Sequence, residues 1–305
     1  MELERMNHKK VFSRLGISLF IITVIVNVVQ SIMGMLINMF VPEFTESSWY
    51  IYTLLIVSFY MIGAPVFYLL VKNIPVKETK EKKRLKWYEF ICILIMCLAA
   101  MYIFNMIGVV INLVIGMMTG NMNLNPLNSV IGDLDLLPTV LIAGIASPIV
   151  EELVFRKVLL GRLRAYGDVI AILVSGLCFG LYHGNIAQFL YASALGFIFA
   201  YVVIRTGDIR YTIALHICIN VLGTGILPQI VKMGTMATML VGMGVICLIL
   251  IGILLFILSI VLKKLKFEKG EIILEHPFKT VCFNAGMILF VLISLASFVM
   301  VLLAM

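Results

Sequence analysis

The sequence predicts an all-α fold, a polytopic bundle of membrane-spanning helices. Three observations carry this expectation. Of 305 residues, 62% are hydrophobic and only 13% are charged, and the mean hydropathy is +1.13. A soluble domain has about 25% charged and about 45–50% apolar residues. The apolar residues also fall in long runs, with no domain-sized hydrophilic stretch between them. A soluble protein of this size could not cover such a composition with a polar surface. The composition excludes a water-soluble enzyme, a disordered chain and a nucleic-acid-binding domain. It names the lipid bilayer as a partner and a multi-pass position in the cell membrane.

A span needs about 20 mostly apolar residues to cross about 30 Å of hydrocarbon. The first run, 15–41, follows a basic N-terminus but is too long for a signal-peptide core and lacks a clear small-residue cleavage site, so it reads as a span. Runs 49–71 and 88–118 flank a strongly basic loop. Runs 136–160, 169–183, 186–204 and 211–227 follow, the second and last of them short. Runs 236–262 and 282–305 complete nine. The chain divides accordingly: N-terminal helices and the basic loop (1–135), a central core (136–230) and C-terminal helices (231–305). The six cysteines lie in or at the edge of apolar runs, with no CxxC pair, and read as small buried hydrophobes rather than disulfides.

The cations orient the bundle. Arg5, Lys9, Lys10 and Arg14, the lysines and arginine of 72–86, Arg156, Lys157, Arg162 and Arg164, Arg205 and Arg210, and the lysines of 263–279 all fall on one side of a nine-span alternation. Lys232 alone falls on the other. By the positive-inside rule the N-terminus is cytoplasmic. Merging the fifth and sixth runs gives eight spans and puts 263–279 outside, so the charges favour nine. The loop 72–86 is a topology determinant first and a contact for anionic lipid second.

Against this sparse charge, two carboxylates and two imidazoles stand out inside apolar segments: Glu151, Glu152, His183 and His216. Ionisable groups in a bilayer are expensive and default to function. At 1.5 Å per residue, Glu151 and His183 lie about 16–18 Å from the cytoplasmic face, His216 about 9 Å and Asn220 about 15 Å. The four can share one layer. Glu152 and Arg156, at i and i+4, can pair; Glu151 is rotated about 100° away, with Phe155 one turn on. His216 and Asn220 share a face, as do Phe179 and His183. Pro148 leaves the carbonyl of Gly144 without a donor and can open the helix before the glutamates.

No HExxH helix and no convincing GxSxG elbow is present, and the pairs Gly132-Asp133 and Gly207-Asp208 sit at loops, which argues against an aspartyl dyad. A carboxylate, two histidines and an amide suit water-mediated hydrolysis. A desolvated carboxylate is a better base, a histidine beside it can hold the same water, and a second histidine with an asparagine can face an oxyanion. The same set can hold zinc through Glu151, His183 and His216 with an open position. Each residue alone also has a plainer reading: a juxtamembrane charge cluster, an interfacial histidine, an interhelical hydrogen bond or packing glue.

Glu151-Glu152-Leu153-Val154-Phe155-Arg156 matches EExxxR, Phe179-Gly180-Leu181-Tyr182-His183 matches FxxxH, and His216-Ile217-Cys218-Ile219-Asn220 matches HxxxN. Together and in this order they resemble the CPBP family of intramembrane proteases, also called the Abi or type II CAAX prenyl endopeptidase family. The resemblance covers about a third of the chain. It implies that Glu151 activates water with His183, that His216 and Asn220 form the oxyanion site, and that Glu152, Arg156 and Phe179 support them. It implies no required cofactor, with zinc as an alternative. It also implies a peptide or lipidated-protein substrate, of prenylated CAAX, bacteriocin or signalling type. Two other classes compete: a non-catalytic immunity or peptide-binding membrane protein, and a transporter. Against transport, the chain shows no inverted repeat.

Overall fold

The computed structural model describes residues 7–77, 83–119 and 134–303. Arg5, Lys80, Lys82 and the Gly132-Asp133 pair lie outside the described residues. Among the described residues ten helices follow one another: α1 His8–Phe40, α2 Trp49–Val71, α3 Trp87–Thr119, α4 Leu136–Tyr166, α5 Asp168–Tyr182, α6 Ile186–Thr206, α7 Arg210–Lys232, α8 Thr235–Val261, α9 Pro277–Cys282 and α10 Ala285–Leu303. Among the described residues there is no strand, only one isolated bridge between Gly167 and Lys269. All six cysteines are free. The chain is a multi-pass membrane protein with an all-helical bundle.

Eight of these helices are long and apolar enough to cross a bilayer. The exception is α5, whose 15 residues span about 22 Å at 1.5 Å per residue. It still leads away from the basic end of the bundle, and α6 returns to it. Its first residue is held at the basic end, where Asp168 N–H donates to Glu268 O at 3.1 Å. Its last turn, at 183–185, hands over to α6, which returns to that same end. There Lys83 N–H donates to Thr206 O at 2.9 Å, Lys77 N–H to Gly161 O at 3.1 Å and Ile272 N–H to Ala165 O at 3.1 Å. His8 Nδ1 meets the Tyr166 hydroxyl at 3.3 Å. The basic segments therefore gather at one end of the bundle, as the nine-run alternation requires.

Three run boundaries move by five residues or more. The first helix begins at His8, the fourth continues to Tyr166 and the seventh to Lys232. Glu151 is 15 residues before Tyr166 and His183 is 15 residues after Asp168.

Three helices widen to i→i+5 hydrogen bonding over Ile56–Gly63, Thr139–Ala146 and Val221–Ile226. Each widened stretch ends two residues before a proline: Pro65, Pro148 and Pro228. Proline has no N–H and its ring collides with the carbonyl four residues back, so a wider turn relieves the clash. A fourth such stretch, Leu153–Leu159, follows the two glutamates directly.

The core is Phe12, Leu15 and Leu19 of α1 with Phe59 and Phe67 of α2, Phe155 and Leu159 of α4, Phe179 of α5 and Phe290 of α10. Small residues bring the helices close, as membrane packing requires. A Cβ on Gly196 would lie 2.7 Å from Gly176 Cα, and one on Gly180 only 2.0 Å from Ser193 Oγ, so α5 and α6 meet backbone to backbone. The same device joins α1 to α10, where a Cβ on Gly286 would lie 1.8 Å from Ser13 O. By contrast α8 buries only Gly252 and turns most of its surface outward.

Candidate active site

The site is built from α4, α5, α6 and α7. On α4 Glu152 is fully buried and ion-paired to Arg156, also fully buried, with Nε 3.4 Å from Oε2. This is the expected i, i+4 pair. It is electrostatic in character, since Glu152 Oε2 and all three Arg156 nitrogens lack hydrogen-bond partners. The guanidinium is held by rings instead. Arg156 Cζ lies 4.4 Å from the Phe179 ring centroid and 5.6 Å from that of Phe199. Such contacts gain strength away from water.

His216 of α7 stands between the two glutamates. Its Nδ1 is 3.2 Å from Glu152 Oε1 and its Nε2 is 3.8 Å from Glu151 Oε2. A carboxylate only accepts, so the Nδ1 contact requires a proton on Nδ1, and Nε2 is turned toward Glu151. Glu152 thereby orients His216 as well as balancing Arg156. The helical spacing suggested only the Arg156 pairing; the carboxylate–imidazole contact joins residues 64 apart in sequence. Glu151 is the more open carboxylate, with a side chain 19% exposed against 0% for Glu152.

His183 closes α5. Its Nδ1 is 2.8 Å from the Phe179 carbonyl oxygen. A carbonyl also only accepts, so this ring too presents Nε2. The Phe179 ring stands edge-on to both imidazoles, at 4.8 Å from His183 and 5.8 Å from His216. The turn is fixed by Asn185, which caps α6 by accepting from Gln188 N–H at 2.9 Å and donates to the His183 carbonyl at 3.1 Å. Gly184 takes φ +70°, a conformation that favours glycine.

Asn220 is one turn beyond His216 on α7. Its Nδ2 donates to Ala143 O at 2.9 Å. The widened register explains the partner. Ser147 N–H reaches Ile142 O, five residues back. The next donor in that register would be Pro148, which has none. The carbonyl left open is therefore that of Ala143, not that of Gly144 expected from α spacing. One amide N–H of Asn220 is spent there, and its other N–H and its oxygen remain for the site.

Among the described residues, no three His, Cys, Asp or Glu side chains are gathered to hold a metal ion. Of the loop acids, Asp208 follows the left-handed Gly207 and pairs with Arg210, away from this cluster.

Sequence reading missed Phe199 and the glycines of α5. Phe199 is fully buried, with its ring 5.3 Å from that of His216. No sequence signal separates it from the other 18 phenylalanines. Gly176 and Gly180 did carry a signal, the GxxxG spacing of close-packed membrane helices, directly before His183.

Residues 133–222 match the family described as type II CAAX prenyl endopeptidase Rce1-like. Over these residues, just under a third of the chain, it is similar to that family. The matched span runs from the N-terminal side of α4 to just beyond Asn220 and contains all three motifs. The chain is also 34% identical over 82 residues to a Bacillus subtilis (strain 168) protein named "Putative membrane peptidase YdiL". That match covers 27% of this chain and 34% of the relative, so the chain spans about a third of the curated relative's length. No solved structure matches the chain. The three motifs occupy α4, α5 and α7, and α6 packs Phe199 between them; α1 to α3 and α8 to α10 lie outside the matched span.

Proposed function

We propose that the chain is an intramembrane endopeptidase that hydrolyses a peptide bond of a membrane-associated peptide by water activated at Glu151. The carrying observation is the division of labour between the glutamates. Glu152 is consumed by Arg156 and His216 Nδ1, while Glu151 is partly open and lies 3.8 Å from His216 Nε2. An acid and base can be told apart where their environments separate them in this way.

In this reading Glu151 takes a proton from water, and His183 Nε2 accepts a hydrogen bond from the same water. The hydroxide oxygen bonds to the carbonyl carbon. His216, donating from Nε2, and the free amide N–H of Asn220 face the developing oxyanion. As the C–N bond breaks, Glu151 returns its proton to the amine. No step is routed through a metal. The substrate class is a prenylated CAAX-type, bacteriocin-type or signalling peptide, reached with the N-terminus of the chain in the cytoplasm.

The test is reconstitution in liposomes with membrane peptides and mass readout of products. Glu151→Gln and His183→Ala should each lose cleavage by a factor of about 10² or more, with expression unchanged. Full activity in both variants sinks the reading. Cleavage should survive a chelator; loss on chelation with recovery on adding zinc would overturn the metal-free route.

A further inference from the structure

The face of α4 that carries Glu151 continues one turn in each direction, to Ser147 and to Phe155. Each neighbour is engaged by a tyrosine. The Tyr60 hydroxyl, from the widened stretch of α2, hydrogen-bonds Ser147 Oγ. The Tyr182 ring packs against Phe155 at 5.6 Å and against Phe59 at 5.3 Å. The two tyrosines thus flank the Glu151 turn of α4, one on either side. The two differ in one respect. Tyr60 has a partner, while the Tyr182 hydroxyl is buried and has no hydrogen-bond partner. A buried unpaired hydroxyl costs about 1–3 kcal/mol, and native groups left so require an account. Packing alone would be served by phenylalanine, which keeps both ring contacts.

We propose that Tyr182 is a catalytic residue of the Glu151 site, its hydroxyl donating a hydrogen bond to the carbonyl oxygen of the scissile peptide and to the oxyanion that forms from it. This rests on the peptidase reading above. Three features of the site support it. One Asn220 amide N–H is already spent on Ala143, so the site has room for another donor. Tyr182 directly precedes His183, so it moves with the histidine. Its ring is locked between Phe59 and Phe155, which fixes the direction of the O–H. The balance is simple: Tyr182 keeps its proton throughout, water loses one to Glu151, and the leaving amine regains it.

The experiment compares Tyr182→Phe with the parent, with Glu151→Gln and with Tyr60→Phe. It uses the full chain in liposomes and follows the peptides whose release depends on Glu151. Two quantities are read: cleavage rate against peptide concentration, and the thermal midpoint. Removing an oxyanion donor costs about 10²–10³ in kcat. Tyr182→Phe should therefore lose about 10² or more in kcat with little change in KM, while its midpoint stays level or rises because an unpaired hydroxyl has gone. Tyr60→Phe, which breaks an existing hydrogen bond, should lower the midpoint. Cleavage by Tyr182→Phe at the parental rate overturns the assignment and leaves the peptidase reading standing. A loss of kcat that comes with a lowered midpoint also overturns it, since that marks a packing role. If Glu151→Gln releases the same peptides as the parent, the peptidase reading fails and this assignment with it.

Discussion

Arg156 is the residue on which the buried charges turn. It is fully buried and neutralised by one carboxylate and two ring faces. Removing one member of a buried pair costs about 3–5 kcal/mol, because the other charge is stranded. Glu152→Gln should therefore lower stability by about that amount and also release His216 from its fixed tautomer. Pairing it with Arg156→Met should recover most of the stability without the activity. Thermal unfolding of the two singles and the double checks this; equal loss in double and single would show that no coupling exists. EExxxR showed the Glu152–Arg156 spacing plainly. It could not show His216 Nδ1 on Glu152, because that contact depends on how α7 is laid across α4.

At the scale of the element, helix phase and helix approach decide where the chemistry falls. The widened stretches before Pro65, Pro148 and Pro228 follow from the proline positions, and the sequence contained their cause. Which carbonyl is opened was legible only once the i→i+5 register was seen, and Ala143 rather than Gly144 is the acceptor for Asn220. The close approach of α5 to α6 sets where His183 emerges. A methyl group at Gly180 would lie 2.0 Å from Ser193 Oγ and 2.6 Å from the Phe189 carbonyl oxygen. Backbone cannot yield as a flexible side chain does, so Gly180→Ala should cost about 1–3 kcal/mol and shift the His183 turn. Its expected signature is a lowered thermal midpoint together with slowed Glu151-dependent cleavage. A variant that matched the parent in both would show that the two helices can separate without consequence.

For the whole molecule, charge placement and loop contacts agree. The basic end is tied together by 263–276, which crosses the ends of α4, α5 and α6. Glu268 N–H donates to Asp168, Arg205 bridges Asp168 and Glu268, and Lys77 pairs with Glu271 at 3.0 Å. By the positive-inside rule we expect this end to face the cytoplasm. Single cysteines in a cysteine-free background at Lys83, Lys264 and Gly234 should therefore label from two sides with a membrane-impermeant reagent: the first two from the cytoplasm, the third from outside. Labelling of Lys264→Cys and Gly234→Cys from one side would contradict the nine-passage alternation. The sequence by itself determined the bilayer, the number of runs, the clustering of cations and the three motifs, because hydropathy and helical spacing are local properties of the chain. Only the tertiary structure decided that His216 stands between the glutamates, that Glu151 is the open one, that α5 passes as a short helix and that Tyr182 is left without a partner. Those depend on the side chains that neighbouring helices supply, and no spacing along one helix encodes what the next one brings to it.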